Sequence, residues 1–426
     1  MKDNSPWLFL EPYVQMVRKR KRLLLYNTVS KVAVEYMVSR SLAKLADSLL
    51  DPSNGYVVRL APGQLKEVEI QEFITRLRQE FMGDLLDPDW SAGKPATIFP
   101  EPMVKFGFNP LPIQQTAVKP AIDLRNYLQE ITLFLNSAGQ ETEDLYRTAF
   151  RQFSYPACVT DNKEEMDIDL FRRMIKEVNN YTPTLIHLSG ENLARYPFLN
   201  EVIGIMAASP FQKKYHLLAV NLDKELISMI LSQKHTTLSL YIRFPVQPGT
   251  LTTLLQSLPE EKLLKRLEFN LIVSNQGELQ QAIEIAGTLD RSNIFFKPLF
   301  TGMNLDFFRE NVFVSREEIL ASQPDQQQLF SRISINENDF GKLWILPGGK
   351  VFANLNDPEI GEATTETLVQ LVSRELNNGI SWRRIRKDVI PCKHCVFQFL
   401  CPPISSYEIF MNRFNFCDVS QNEKNP

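Results

Sequence analysis

Four cysteines near the end of the sequence have a spacing that suits metal binding. They form the pattern C-x2-C-x5-C-x15-C, and they are four of the five cysteines in the chain: Cys392, Cys395, Cys401 and Cys417. A Cys-x2-Cys turn directs two sulfurs to one point, and two further thiolates complete a tetrahedral set. The alternative is four unrelated buried thiols, since free cysteine often packs as a small hydrophobe. The pattern predicts a site for zinc or an iron–sulfur cluster, and the spacing alone slightly favours zinc.

His394 lies inside the Cys-x2-Cys turn and is a fifth candidate ligand. Because four thiolates already complete a tetrahedral set, we expect it to be a supporting or solvent-facing group.

The composition narrows the range of functions. The chain has 426 residues and a net charge of −3, which gives no general attraction to nucleic acid or an anionic membrane. Glycine is scarce, at 17 residues, and neither GxGxxG nor GxxxxGK[ST] occurs, so nucleotide hydrolysis and Rossmann-type redox chemistry are poorly supported. The start has no basic segment followed by an apolar core, and no window approaches the roughly 20 apolar residues of a membrane span. We therefore expect a cytoplasmic protein with no nucleic-acid or membrane partner.

The first of three regions, residues 1–95, predicts a small domain. Alternating apolar residues indicate strands at 13–18, 23–28 and 32–36, and helical periodicity indicates helices at 41–50 and 67–81. The basic run 18–22 is expected at a solvated hairpin turn. Residues 87–101, with three prolines, are predicted to form a linker.

The second region, residues 102–335, alternates apolar strands with helices. Such a pattern indicates parallel strands buried on both faces, and six units predict an α/β fold with a partial (β/α)6 barrel. Active sites of such barrels lie at the C-terminal ends of the strands. The predicted strands are 131–137, 184–190, 215–221, 237–244, 267–274 and 293–300, and the predicted helices are 167–179, 197–208, 223–233, 249–257 and 277–288.

The third region, residues 340–426, predicts a hairpin that turns at Gly348–Gly349, a helix at 364–377 and then the cysteine pattern. The segments LPGGKVFANLNDPEIGEATTETL and CKHCVFQFLC resemble the C-terminal SPASM/twitch extension of radical-SAM peptide maturases. By that resemblance, the four cysteines would hold the second auxiliary 4Fe–4S cluster. Asn354 and Ser405 stand where the family places cysteines of the first auxiliary cluster. The resemblance thus implies one 4Fe–4S cluster, with zinc as the alternative.

The barrel region is similar to the same family. Members carry a C-x3-C-x2-C loop after the first barrel strand, but here AGQETEDLYRTAFRQF follows, and the one remaining cysteine, Cys158, lies farther on. After the second strand, Ser189-Gly190-Glu191 partly matches a Gly-Gly-Glu motif that contacts SAM. One thiolate cannot hold the catalytic cluster. We therefore expect no reductive cleavage of SAM by this chain alone, and SAM binding itself is doubtful.

Other residues have simpler interpretations. Glu191 could equally be a turn residue at the end of its strand. His187 and His216 lie in apolar strands and are expected to be satisfied core histidines, and Cys158 a buried thiol.

The N-terminal region resembles the winged-helix-like RiPP recognition element, which binds the leaders of precursor peptides. In that element the leader adds a strand to the third strand of the sheet and packs against a helix. The matching positions here are Val32, Ala33, Val34, Glu35, Tyr36, Ile70, Phe73 and Leu77.

The whole layout resembles the pseudo-radical-SAM proteins of Bacteroidetes Gly-Gly peptide systems. This implies a non-catalytic partner that binds a precursor peptide with a Gly-Gly leader, an active radical-SAM maturase, or both. Two alternatives stay open: a redox enzyme that modifies a peptide through its single cluster, and a zinc-stabilised interaction protein.

Overall fold

The computed structural model describes residues 5–87, 94–95, 127–139, 144–155, 157–181, 183, 185–221, 224–246, 265–289 and 293–419. The predicted helix 249–257 and most of the predicted linker 87–101 lie outside these residues. Among the described residues, no helix combines the length and apolar character needed to cross a membrane.

The N-terminal part contains two three-stranded sheets and two α-helices around one core. One sheet has the order β5-β1-β6 and the other the order β2-β3-β4. The three predicted strands are confirmed to within one residue, whereas the four-residue strands β1 and β6 were not predicted. The elements are β1 (Trp7–Leu10), β2 (Val14–Lys19), β3 (Arg22–Asn27), β4 (Ala33–Met37), α1 (Arg40–Leu50), β5 (Val57–Arg59), a 3-10 turn (Gln64–Lys66), α2 (Val68–Gln79) and β6 (Gly83–Leu86).

The basic run turns as expected between β2 and β3. Arg20 has a φ of 53°, which closes the tight turn, and the flanking arginines are paired. Arg18 contacts Asp47 and Arg22 contacts Glu35, so the positive charges are neutralised within the domain.

The middle region is a mixed α/β unit built on a large parallel sheet. Strands β7 to β12 lie side by side in chain order, and all pair in parallel. All six predicted strands are present, because each contains an apolar run. The first five runs are largely buried, whereas Phe295 and Phe296 in the last are 45% and 40% exposed. The elements are β7 (Glu130–Phe134), α3 (Asp144–Phe153), α4 (Ile168–Val178), β8 (Leu185–Ser189), α5 (Leu199–Ala208), β9 (Gln212–Leu218), α6 (Lys224–Ser232), β10 (Thr236–Arg243), β11 (Leu267–Val273), α7 (Gln276–Leu289) and β12 (Ile294–Pro298).

Helix α3 was not predicted, because its sequence occupies the place where the family resemblance puts a cluster loop. Three further short helices between residues 305 and 334 were also missed: α8 (Leu305–Asn311), α9 (Arg316–Ala321) and α10 (Gln326–Ser334). Capping boxes at Ser315 and Asp325 fix the starts of α9 and α10.

The C-terminal part extends the barrel sheet. Strand β13 pairs in parallel with β7, and β14 and β15 follow antiparallel, so the sheet order is β12-β11-β10-β9-β8-β7-β13-β14-β15. The predicted hairpin at Gly348–Gly349 is present, with Gly349 at a φ of 92°. The elements are β13 (Lys342–Ile345), β14 (Lys350–Phe352), β15 (Gly361–Glu362), α11 (Leu368–Asn378), a 3-10 turn (Cys392–His394) and α12 (Ser406–Phe410).

Candidate functional site

The four C-terminal cysteines line one cavity. Cys395 closes a tight turn, since its N–H donates to the Cys392 carbonyl oxygen at 2.9 Å. Cys417 comes from the far end of the segment and is held by a bridge to Val314. The cavity is lined by Cys392, Cys395, Cys401 and Cys417 together with Arg386. Tertiary structure thus brings together the four residues that the spacing grouped.

A buried cation accompanies these thiols. Arg386 forms an ion pair with Glu408 at 3.0 Å, and both side chains are largely buried, at 11% and 2% exposure. Its Nη1 lies 3.6 Å from the Cys392 sulfur. Burial raises the pKa of the Cys392 and Cys401 thiols, and Arg386 opposes that increase. The guanidinium therefore favours thiolates, the form that binds metals.

Four thiols and a stabilising cation line one cavity, and these are the groups that a tetrathiolate metal site uses. The buried Gln398 Oε1 on the cavity wall has no hydrogen-bond partner among the described residues. In the arrangement that the structure describes, however, the thiols are too far apart to bind a metal ion together. No three described His, Cys, Asp or Glu side chains lie close enough together to hold one metal ion. His394 is exposed and does not line the cavity. The identity of the group, cluster or zinc, stays a prediction.

Asn354 and Ser405, where the family resemblance expects cysteines, have structural roles. Asn354 Nδ2 donates to Asp339 Oδ1 at 2.9 Å. Ser405 caps α12, with Glu408 completing a capping box. Both side chains form hydrogen bonds to backbone or buried polar groups, and a thiol in either place would form weaker ones.

Ser189-Gly190-Glu191 ends β8 against the loop after β7. A Cβ on Gly190 would lie 2.2 Å from Asn136 Oδ1, so the close approach requires glycine. Glu191 N–H donates to the Asn136 carbonyl oxygen at 3.1 Å. The Ser189 hydroxyl is buried without a partner among the described residues. Glycine here has a packing reason, and a SAM contact by Glu191 stays a prediction.

The predicted peptide-binding residues divide between two faces of β4 and the domain core. Ile70, Phe73 and Leu77 are 0–1% exposed, so they cannot contact a ligand on the surface and instead support β4 from beneath. The Phe73 ring meets the Tyr36 ring edge-on at 5.5 Å. This corrects the expected contact surface on α2, because the apolar stripe of a surface helix faces its own core.

A groove of about 490 Å³ runs between β4 and α2. Sequence reasoning missed its helical wall, although the polar face of α2 was the available signal. The groove is lined by Val34 and Tyr36 of β4 and by Val68, Gln71, Glu72, Thr75, Arg76 and Gln79 of α2. Ala33 and Glu35 belong to the opposite face of β4, where Glu35 pairs with Arg22 and Arg316.

Helix α3 packs over the C-terminal ends of several strands of the parallel sheet. Ala149 packs with Leu218, Tyr241 and Ile272, which lie at or near the ends of β9, β10 and β11. Gln152 exchanges two hydrogen bonds with the backbone of Phe300, beyond β12, at 2.8 and 2.9 Å. The helix therefore spans from β7 to the opposite edge of the barrel, over the place where barrel active sites form.

Two histidines form a buried chain below this helix. His187 Nδ1 lies 2.9 Å from His216 Nε2, and His216 Nδ1 lies 3.1 Å from the Tyr241 hydroxyl. Burial lowers the pKa of both rings. The Tyr155 ring stacks on His216 with centroids 3.6 Å apart. Two neutral rings make both hydrogen bonds when the Tyr241 hydroxyl donates to His216 Nδ1 and the His216 Nε2–H donates to His187 Nδ1.

Comparisons with known proteins give weak structural similarities. No known protein family matches the sequence, and no curated protein does. A crystal structure of Streptococcus suis SuiB bound to precursor peptide SuiA has 10% identity, covers 96% of this chain and 98% of its own, and gives a TM-score of 0.48. The native anSMEcpe with bound AdoMet has 11% identity, covers 67% of this chain and 96% of its own, and gives 0.40. Similarities at this level assign neither a family nor a function to the chain.

Proposed function

We propose that this protein is a non-catalytic, pseudo-radical-SAM partner in ribosomal peptide maturation that captures a precursor peptide on its N-terminal domain. In this role β4 and α2 bind the leader, which by the resemblance ends in Gly-Gly. The rest of the chain docks an active radical-SAM maturase. The reducing cytoplasm, where thiols stay available to a metal, is the compartment this function implies.

The observation that carries the proposal is the open edge of β4 beside the groove. Within the described residues β4 pairs only with β3. The Val32 carbonyl oxygen and the Val38 N–H both bond toward β3, to Asn27 and Lys21. Because ladder bonds alternate along an antiparallel pair, the backbone groups of the odd residues, Ala33, Glu35 and Met37, point to the open edge.

The groove beside this edge would select among the side chains of a bound peptide. Val34 and Tyr36 give an apolar floor, and Arg76 on α2 adds a cation at the wall. An added strand would gain affinity from main-chain bonds to Ala33, Glu35 and Met37, and specificity from alternate side chains entering the groove. An exposed strand edge can pair with another chain and cause aggregation. A bound peptide strand would cover this edge and prevent such pairing.

Two further features favour binding over catalysis. The sequence has one cysteine outside the C-terminal four, too few for a cluster with an open iron. Helix α3 covers the barrel mouth, with Gln152 hydrogen-bonded across it. Four cysteines around Arg386 would hold one 4Fe–4S cluster, or zinc, and such a closed tetrathiolate site stabilises its fold.

The test measures binding of a fluorescent leader peptide to the full-length protein by polarisation. Met37→Pro removes one outward N–H without removing a bond to β3, whereas Met37→Ala keeps it. We expect Met37→Pro to weaken binding about tenfold or more, since a lost bond and a blocked edge are worth about 1.4 kcal/mol. Met37→Ala should bind like the wild type.

Equal affinities of the two Met37 variants would reject strand addition at β4. Formation of 5′-deoxyadenosine from SAM by the purified, cluster-reconstituted protein alone would reject the non-catalytic role.

A further inference from the structure

A large cavity on the concave side of the parallel sheet has no part in the proposed peptide binding. It measures about 520 Å³ and lies beneath the end of α3, among side chains of the strands from β7 to β13. Tyr407 of α12 forms part of its wall. Barrel interiors of this kind are normally packed with apolar side chains, so a large polar space here requires an explanation.

One side of the cavity has two lysines for one carboxylate. Lys214 pairs with Glu268 at 2.8 Å. Lys297, on β12, lines the same space and has no ion pair or hydrogen bond with any described residue. Burial lowers the pKa of Lys297, and the charge of Lys214 lowers it further, while Glu268 opposes the change. By its residues, this corner of the cavity has two lysines and one carboxylate, and a bound anion beside Lys297 would balance the second lysine and favour its charged form.

The opposite wall offers a neutral hydrogen-bond donor and aromatic surface. Trp344 on β13 is 7% exposed, and its Nε1 is buried without a partner in the described part of the chain. The rings of Phe153 and Tyr407 also line the space. A buried indole N–H normally finds a partner, so its absence marks a position for a ligand acceptor.

We propose that the barrel cavity binds a small molecule that joins a carboxylate or phosphate group to a planar apolar body. The anion lies beside Lys297 and Lys214, and the planar body lies among Trp344, Phe153 and Tyr407. This is a second binding site, separate from the groove between β4 and α2, and it stands or falls independently of peptide capture.

The sequence carried a signal for this site that its apolar context concealed. Lys214 directly precedes the predicted strand 215–221, and Lys297 lies inside the apolar predicted strand 293–300. A half-buried lysine lowers the stability of the protein without ligand. Such a cost is typical of a residue that a binding function requires. The stability of the empty protein therefore also reports on the proposal.

The experiment titrates full-length protein with benzoate and phenyl phosphate as anionic probes, with benzamide as the uncharged control. Tryptophan fluorescence gives the readout, and Trp344→Phe identifies the responding residue among the four tryptophans. We expect saturable quenching by both anions and none by benzamide. Lys297→Met should weaken anion binding at least tenfold. Benzoate and phenyl phosphate together separate a carboxylate from a phosphate preference.

The stability arm uses Lys297→Met and, as control, Lys176→Met at an exposed position on α4. Without ligand, Lys297→Met should raise the Tm by about 2 °C or more, because it removes a half-buried cation that has no carboxylate within ion-pair distance among the described residues. Lys176→Met should not raise it. Benzoate should raise the Tm of the wild type but not of Lys297→Met. No saturable response to either anion, an equal response to benzamide, or unchanged binding by Lys297→Met would overturn the proposal.

Discussion

Asp339 lies almost fully buried where the C-terminal part joins the barrel. Its carboxylate accepts hydrogen bonds from Asn336 and Asn354, each at 2.9 Å. Burial raises its pKa to about 7, although the bond from Asn354 opposes this increase. The side chain is 2% exposed, so the charged form is poorly solvated at neutral pH.

We predict a specific pH dependence for Asp339. The folded-state pKa lies above the unfolded value, so its contribution to the free energy of unfolding is fully present below about pH 4. That contribution is lost as the pH rises through 7, at up to about 1.4 kcal/mol per pH unit. Asp339→Asn cannot titrate. The free energy of unfolding of the wild type, relative to that of Asp339→Asn, should therefore fall by a few kcal/mol between about pH 4.5 and about pH 8.

Urea denaturation of both proteins across this range measures the difference. A constant difference between wild type and Asp339→Asn would mean that Asp339 titrates normally in the folded state.

At the scale of elements, β4 connects the groove beside α2 to the cysteine segment, residues 392–417. Its groove face carries Val34 and Tyr36, and its other face carries Glu35. Glu35 holds Arg22 of β3 and Arg316 of α9, the latter at 2.9 Å. These two guanidinium groups lie over the Phe397 ring, at 5.4 and 5.7 Å from its centroid.

We predict that Glu35→Gln loosens this connection. It removes the half-buried carboxylate that Arg22 and Arg316 share, so the free energy of unfolding should fall by about 1–2 kcal/mol. Asp47→Asn is the matched control, because it removes the exposed pair with Arg18, worth about 0–1 kcal/mol. Urea denaturation measures both changes. Equal losses in the two variants would show that the Glu35 pairs are worth no more than a surface ion pair.

At the scale of the whole molecule, the cysteine segment joins the N-terminal domain to the rest of the chain. Leu24 and Tyr26 of β3 pack in one cluster with Phe397, Cys401 and Cys417. The Tyr26 hydroxyl also donates to the Pro324 carbonyl oxygen at 2.8 Å. A group bound by the four thiols would therefore stabilise the interface as well as the loop.

We predict that Cys401→Ser removes most of the bound metal and lowers the Tm by several degrees, since binding energy at such a site is also folding energy. Cys158→Ser is the control, because Cys158 is buried in a separate cluster with Phe134 and Trp344. It should keep the metal. Metal and sulfide analysis of anaerobically purified protein gives the readout.

Iron with equimolar sulfide would support the cluster, and zinc without sulfide would favour the zinc-stabilised interaction protein. Full metal content in Cys401→Ser, or loss in Cys158→Ser, would contradict the assignment of the ligands.

The sequence by itself determined the elements whose signal is local. Apolar runs predicted the six barrel strands within a few residues, and the short spacing from Cys392 to Cys401 predicted that these thiols act together. The strands are confirmed, because an apolar run depends on neighbouring residues, and the joint action of the thiols stays a prediction. Helix α3 was not predicted, because the sequence after β7 was interpreted by the cysteines that it lacks and not by its helical periodicity.

Only the tertiary structure decided which faces meet. It placed Ile70, Phe73 and Leu77 in the core and left the polar face of α2 on the groove. It also brought Lys214 and Lys297 together from strands that are far apart in the sequence, and laid α3 across the barrel mouth. The physical reason is that burial and charge pairing depend on long-range packing, and one sequence does not specify which strand or helix lies opposite a given side chain.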